Sequence, residues 1–378
     1  MPGAAPHWDI FCAVVDNYGD AGIAWRLART LVREHGLDMR LYIDALPALA
    51  RLAPAIDVAR EAQAVDGIEV RVWRGPQGPF AESNPGDVVI EAFGCGLPAA
   101  YLDAMAARPS KPVWINLEYL SAERWIEDCH GLASRHPTRP LTRYFFFPGF
   151  APMTGGLLRE RDLLVRRDRF RDNVAVREAF WRRLGIAPAR NGRVVSLFCY
   201  PDAPVEALFD AWAAGDQPVL CLVPEGVARA SMERRSARLS GPRAHGRLTL
   251  APIPFLTQED YDRLLWTCDI NFVRGEDSFV RAQWAARPLV WNVYPQSDAA
   301  HLLKLEAFLG RYVEGLATGA ASAYASFSRA WNGGADALWS TLDTALPDLA
   351  RHAPIWAGAL ARQSDLASAL VDFCRNRL

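Results

Sequence analysis

Apolar residues fall along this chain in short blocks separated by stretches of helical period, and the alternation occurs twice. In the first set, 10–15, 39–43, 68–73, 88–93 and 113–117 read as buried strands. Between them Ile23, Leu27 and Leu31, with Trp25, Ala28 and Val32, keep helical spacing up to Gly36, and 98–107 carries a second such stretch. The second set has strand-like blocks at 194–200, 218–223, 248–253, 270–273 and 289–295, with helices expected over 205–213, 259–268 and 301–309. Strand and helix in alternation predict an α/β chain with two mostly parallel sheets, each covered on both faces.

The pattern also suggests where the halves divide. The aromatic block 144–150 reads as core or as a wall between domains, and the arginine-rich stretch 159–183 as a solvated linker and helix face. A first domain over 1–175 and a second over 176–354 are expected, with a C-terminal helix over about 355–378 packing back on the first.

Composition narrows the function classes. The chain has 378 residues, 51% hydrophobic and 22% charged, which is too much for one ordinary core. A net charge of -1 and the lack of a Lys/Arg block give no electrostatic reason to bind nucleic acid. Seven scattered cysteines show no metal-ligand spacing and read as reduced core residues. No apolar run approaches the roughly 18 residues of a membrane span, and the N-terminus has no signal-peptide core. A cytoplasmic protein with no membrane partner is expected.

Two loops carry candidate chemistry. The first strand ends in Asp16-Asn17-Tyr18-Gly19-Asp20, and ligands of doubly wound sheets lie beyond the carboxyl ends of strands. The loop lacks the Gly-x-Gly-x-x-Gly dinucleotide fingerprint, and its carboxylate pair suits a cationic or proton-losing substrate better than a pyrophosphate. The blander reading is a turn and a helix cap. The second loop, Arg274-Gly275-Glu276-Asp277-Ser278, joins a buried strand to an amphipathic helix. Backbone N–H groups at the helix start, with Arg274 beside them, attract an anion. Glu276 and Asp277 would repel a phosphate set against them, so at least one must face another group, such as a ribose hydroxyl. Taken alone, Glu276, Asp277 and Ser278 would most often only cap the helix.

Further motifs carry a resemblance. Asp16-Asn17-Tyr18-Gly19-Asp20, Phe198-Cys199-Tyr200, Gln258-Glu259-Asp260-Tyr261-Asp262, the run from Arg274 to Trp284, and Tyr294-Pro295-Gln296 resemble, in order, the EarP family of protein-arginine rhamnosyltransferases. The likeness runs from near the N-terminus to about Tyr312, and little of it is visible from Gly315 onward. It implies a GT-B fold, two Rossmann-like domains facing each other across a cleft. It also implies dTDP-β-L-rhamnose as donor, translation elongation factor P as protein partner, and inverting transfer to one arginine. Carried over by position, Phe198 and Tyr200 are donor-pocket aromatics, Phe255 would stack on the thymine, Gln258 would contact base or ribose, and Arg274, Glu276, Asp277 and Ser278 would form the ribose and diphosphate site. Tyr294 and Gln296 would contact diphosphate or sugar, while Asp16 and Asp20 are the acceptor-side carboxylates, with Asn17, Tyr18 and Gly19 between them.

The chemistry suits those places. A guanidinium is a poor nucleophile, protonated and delocalised, so one carboxylate must take a proton while another orients the group. Asp20 is expected as the base and Asp16 as its partner, and the residues leave the reverse order open. Arg274 and the helix N–H groups would meet the charge of the departing diphosphate. No Asp-x-Asp stands at a strand end, so neither metal nor other cofactor is expected. Two further readings share the donor motifs: a GT-B enzyme with another sugar or a small-molecule acceptor, and a non-catalytic nucleotide sensor that binds a translation factor.

Overall fold

The apolar blocks pair into two separate sheets in the computed structural model, which describes residues 6–16, 18–81, 84–188, 191–224, 242–296, 298–335 and 338–378. The chain divides into two compact units, Met1–Arg161 with Leu360–Leu378, and Asp162–Ala359. Helices 163–172 and 174–183 therefore fall with the second unit.

The first unit holds β1 (His7–Cys12), β2 (Asp38–Ile43), β3 (Ala62–Val65), β4 (Ile68–Val72), β5 (Val88–Ala92), β6 (Val113–Leu117), β7 (Ala133–Arg135) and β8 (Thr142–Phe146). They form one sheet in the order β3-β4-β2-β1-β5-β6-β8-β7. Six strands run parallel, and β3 and β7 add short antiparallel edges. From β1 the chain first builds outward through β2 and β4, then returns to β1 and builds the other way through β5, β6 and β8. The reversal lies between β1 and β5, whose Ile10 and Ile90 are in register. Helices α1 (Gly19–His35), α2 (Leu46–Leu52), α3 (Ala99–Ala107) and α4 (Trp125–Cys129) accompany the sheet. Its core is aromatic. Phe11 stacks on Tyr42 with ring centres 4.3 Å apart, and Trp73, Tyr101 and Trp114 belong to the same buried cluster.

The second unit contributes α5 (Leu163–Asp172), α6 (Val174–Arg183), β9 (Arg193–Leu197), α7 (Val205–Ala214), β10 (Val219–Pro224), β11 (Arg243–His245) and β12 (Leu248–Ile253). It continues with α8 (Gln258–Thr267), β13 (Ile270–Arg274), α9 (Asp277–Ala285), β14 (Leu289–Asn292), α10 (Ala300–Tyr312) and α11 (Thr318–Gly333). The sheet order is β11-β12-β10-β9-β13-β14, parallel except at β11. It repeats the logic of the first sheet, with the reversal now between β9 and β13. Two helices follow, α12 (Trp339–Ala361) and α13 (Leu366–Arg375). The aromatic block of β8 meets α13, where Phe373 lies edge-on to Tyr144 and Phe146, both with ring centres 5.5 Å away. Among the described residues no helix is long and apolar enough to cross a membrane.

Several strands stop before their apolar blocks do. β1 ends at Cys12, not Val15; β5 at Ala92, not Phe93; β9 at Leu197, not Tyr200; and β14 at Asn292, not Pro295. In each case the overhanging apolar or aromatic residues leave the ladder at its carboxyl end. The two reversals place the loops after β1 and β5 side by side in one unit, and those after β9 and β13 in the other, where doubly wound sheets bind ligands.

Candidate active site

On the first unit, the loop after β1 folds back on a single carboxylate. Asp20, in the first turn of α1, is 2% exposed, and its Oδ2 accepts the backbone N–H groups of Val15 at 2.8 Å and Asp16 at 2.9 Å. The Gly19 N–H donates to the Asp16 carbonyl at 2.7 Å, closing the turn into the helix. Asp20 thus ties down the incoming loop, and the residue before α1, Tyr18, supplies no side-chain cap. Asp16 and Tyr18 are half-buried beside it, and Asn17 lies outside the described residues.

The Tyr119 hydroxyl, two residues past the end of β6, also favours the ionised form of Asp20. The Tyr119 ring stacks on Phe93, just past β5, with centres 4.5 Å apart and planes 13° from parallel. Burial pushes the Asp20 carboxyl above its ordinary range, and the charge of Asp16 adds to the rise. The two backbone N–H groups and the Tyr119 hydroxyl oppose it without cancelling it. A carboxylate with a raised pKa, held by two backbone donors beyond a strand end, is suited to taking a proton.

On the second unit, Arg274 closes β13 and is 7% exposed. Its guanidinium carbon lies 4.2 Å from the centre of the Phe198 ring and 4.9 Å from that of Tyr200, and Nη1 donates to the Cys199 carbonyl at 3.3 Å. The overhang of β9 therefore clasps the cation that ends β13. Tyr200 meets Tyr294 edge-on at 5.6 Å, and its N–H donates to the Asn292 side chain at 2.7 Å, which joins the loops after β9 and β14. Phe198 meets Tyr261 of α8 at 6.2 Å, so the helix opened by Gln258 reaches the same cluster. Gln258 is buried, Phe255 half-buried, and Thr257 caps α8 by accepting from the Asp260 N–H at 3.3 Å.

The loop into α9 spends its polar groups differently from a plain cap. Gly275, at φ 61°, makes the left-handed turn between strand and helix, donates to the Asn292 carbonyl at 3.2 Å and accepts from Trp291 Nε1 at 2.7 Å. Glu276 occupies the cap position with no side-chain capping bond. The Ser278 hydroxyl turns back to Arg274, accepting from its N–H at 3.1 Å and donating to its carbonyl. Glu276 and Asp277 stand half-buried at the helix start.

The structure thus gathers Phe198, Tyr200, Arg274, Ser278 and Tyr294 in contact, with Glu276 and Asp277 in the adjoining turn, and Asp16, Tyr18, Gly19 and Asp20 in a second group. Sequence reasoning missed Tyr119, Phe93, Tyr261 and Asn292. Phe93 is the last residue of its apolar block and Tyr119 stands two residues beyond another, which was the available signal. Among the described residues no group of three or more His, Cys, Asp or Glu side chains is placed to hold a metal ion.

Comparison with known proteins gives the family. Residues 8–375 match the family model described as Elongation-Factor P (EF-P) rhamnosyltransferase EarP, so the likeness extends well past Tyr312, where the motifs alone had faded. A protein-arginine rhamnosyltransferase of Pseudomonas putida is 48% identical over 98% of this chain and 99% of its own length. One of Shewanella oneidensis is 39% identical over 98% of each. A structure solved for EarP-mediated arginine glycosylation of translation elongation factor EF-P is 36% identical, covers 99% of this chain and 100% of its own, and has a TM-score of 0.69. A glycosyltransferase of Rickettsia africae, 10% identical with a TM-score of 0.55 over 99% and 98% of the two chains, shares the fold alone. With its two Rossmann-like sheets the chain has the GT-B glycosyltransferase fold, and it belongs to the EarP family of EF-P rhamnosyltransferases.

Proposed function

We propose that this enzyme transfers L-rhamnose from dTDP-β-L-rhamnose to a guanidino nitrogen of one arginine of translation elongation factor P, inverting the anomeric carbon. The observation that carries the reading is the clasped cation. Arg274 is fixed against Phe198 and Tyr200 by the protein's own rings, at the strand reversal where a nucleotide diphosphate binds in this architecture. A preorganised guanidinium meets the growing charge on the leaving diphosphate without reorganising. Phe255 and Gln258 offer a ring face and an amide edge to the pyrimidine, Glu276 and Asp277 hydroxyl partners to the ribose, and Tyr294 and Gln296 contacts to diphosphate or sugar.

On the acceptor side Asp20 takes the proton released as the C–N bond forms, and Asp16 holds the other edge of the guanidinium. The bond from the anomeric carbon to the diphosphate oxygen breaks as the C–N bond forms, and dTDP leaves with the electron pair. The scheme invokes no metal, so turnover should survive EDTA.

Mass spectrometry of elongation factor P incubated with enzyme and donor tests the reading. A deoxyhexose increment on the wild-type factor, absent when its target arginine is lysine, is expected. Donor consumed with no increment on the factor would move the acceptor elsewhere.

A further inference from the structure

Two helices reach the Arg274 clasp, and each starts on residues proposed to hold the donor. Helix α8 begins at Gln258, and its Tyr261 ring meets Phe198 at 6.2 Å. Helix α9 begins at Asp277, and its Ser278 hydroxyl accepts the Arg274 N–H at 3.1 Å. A shift of one helix against the other would therefore change the gap that a nucleotide has to span.

One turn into each helix the two are joined. Arg281 of α9 donates to Asp262 of α8 through two parallel bonds, Nε to Oδ1 at 2.7 Å and Nη2 to Oδ2 at 2.6 Å. Arg281 is 1% and Asp262 2% exposed, so neither side chain is open to a ligand. Asp262 stands four residues after Gln258 and Arg281 four after Asp277, the spacing that puts residues on one face of a helix one turn apart. The pair thus lies one turn behind both helix starts, and its two bonds admit a single register between the helices. A buried ion pair adds little stability over apolar groups of the same volume. What this pair supplies is geometry.

We infer that Arg281 and Asp262 are positioning residues for the nucleotide donor. They hold the helix start that faces the base at a fixed span from the one that faces ribose and diphosphate. The inference rests on the proposed placement of the donor across Phe255, Gln258, Glu276 and Asp277. Loss of the pair acts on a ligand that bridges the two helices, and far less on a fragment that meets only one of them.

The experiment measures dTDP affinity by calorimetry, inhibition by thymidine alone and by pyrophosphate alone, donor KM, kcat and thermal midpoint. The variants are Arg281→Lys, which keeps the charge and loses the planar fork, and Asp262→Leu/Arg281→Met, which leaves no unpaired buried charge. Both should weaken dTDP binding about tenfold and raise the donor KM to match, the usual scale for a hydrogen bond to a charged group. The kcat and the two fragment inhibition constants should stay within about twofold, and the double variant should melt close to wild type. Wild-type dTDP affinity in the double variant overturns the inference. So does an equal loss for dTDP, thymidine and pyrophosphate, which a general loosening of the unit would produce. Should the double variant not fold, the same comparison in Arg281→Lys decides. Phe255→Ala and Glu276→Ala test the donor placement separately. Unchanged dTDP affinity in both removes that placement and the inference with it, whereas a loss in both beside an unaffected double variant rejects the clamp alone.

Discussion

A guanidinium laid against two aromatic faces differs from an ammonium on a flexible stem. Arg274 is planar, buried and gripped by the Phe198 and Tyr200 rings, so its charge occupies one place. Arg274→Lys keeps the charge and loses the planar contact. Calorimetry with dTDP should show affinity weakened about tenfold, and unchanged affinity would take Arg274 out of the donor site. At this scale the sequence was informative where chemistry and position coincide. Asp16, Asp20 and the stretch from Arg274 to Ser278 announce themselves as charged residues at strand ends. Tyr119 and Phe93 do not, because nothing in a tyrosine after a strand says which carboxylate its hydroxyl will stabilise. The capping reading of Glu276, Asp277 and Ser278 was reasonable on composition, yet Glu276 makes no capping bond and the Ser278 hydroxyl bonds back to the residue closing the strand.

Among the elements, the strand cores were legible from runs of Val, Ile and Leu, and their carboxyl ends were not. Hydropathy cannot tell a ring that packs in the core from a ring that lines a site, so 198–200 and 293–295 read as strand although the ladder had ended. The β3–β4 hairpin was also missed, despite its Asp66-Gly67 turn with both residues at positive φ. The C-terminal segment depends on a tight approach. Gly156 sits at φ 68°, and a Cβ there would fall 2.1 Å from the Ser364 carbonyl oxygen, close to where the Leu366 N–H donates to the Leu157 carbonyl at 3.1 Å. Gly156→Ala should therefore cost about 3 kcal/mol in urea denaturation, from backbone strain and the displaced segment together. Gly36→Ala, at φ 64° with open space around it, should cost only about 1 kcal/mol. Equal costs would mean that the approach to Ser364 is not a constraint.

For the molecule as a whole, pH reports on the first unit through His7. The buried Asp9 carboxylate beside it raises the His7 pKa above its ordinary 6.5; burial opposes this, and Asp38 adds to it. The Nε2–Asp9 distance is 3.2 Å and the Nδ1–Asp38 distance 2.7 Å. A group raised on folding stabilises fully below its unfolded value, and that contribution fades as pH rises through the folded one. Burial lowers His130 and His352, so their effect falls below pH 6.5 and in the opposite sense. Above that value the denaturation midpoint should decline with pH, and His7→Gln should flatten the decline. An unaltered slope would assign it to another group.

Among the described residues each sheet also ends on both sides in a strand of three or four residues, β3 and β7 in one, β11 and β14 in the other. A second molecule offering its own backbone would find too few open amides to form a lasting ladder, so crowding should not zip copies together while they stay folded. Light scattering on heating should then rise with unfolding and not before it.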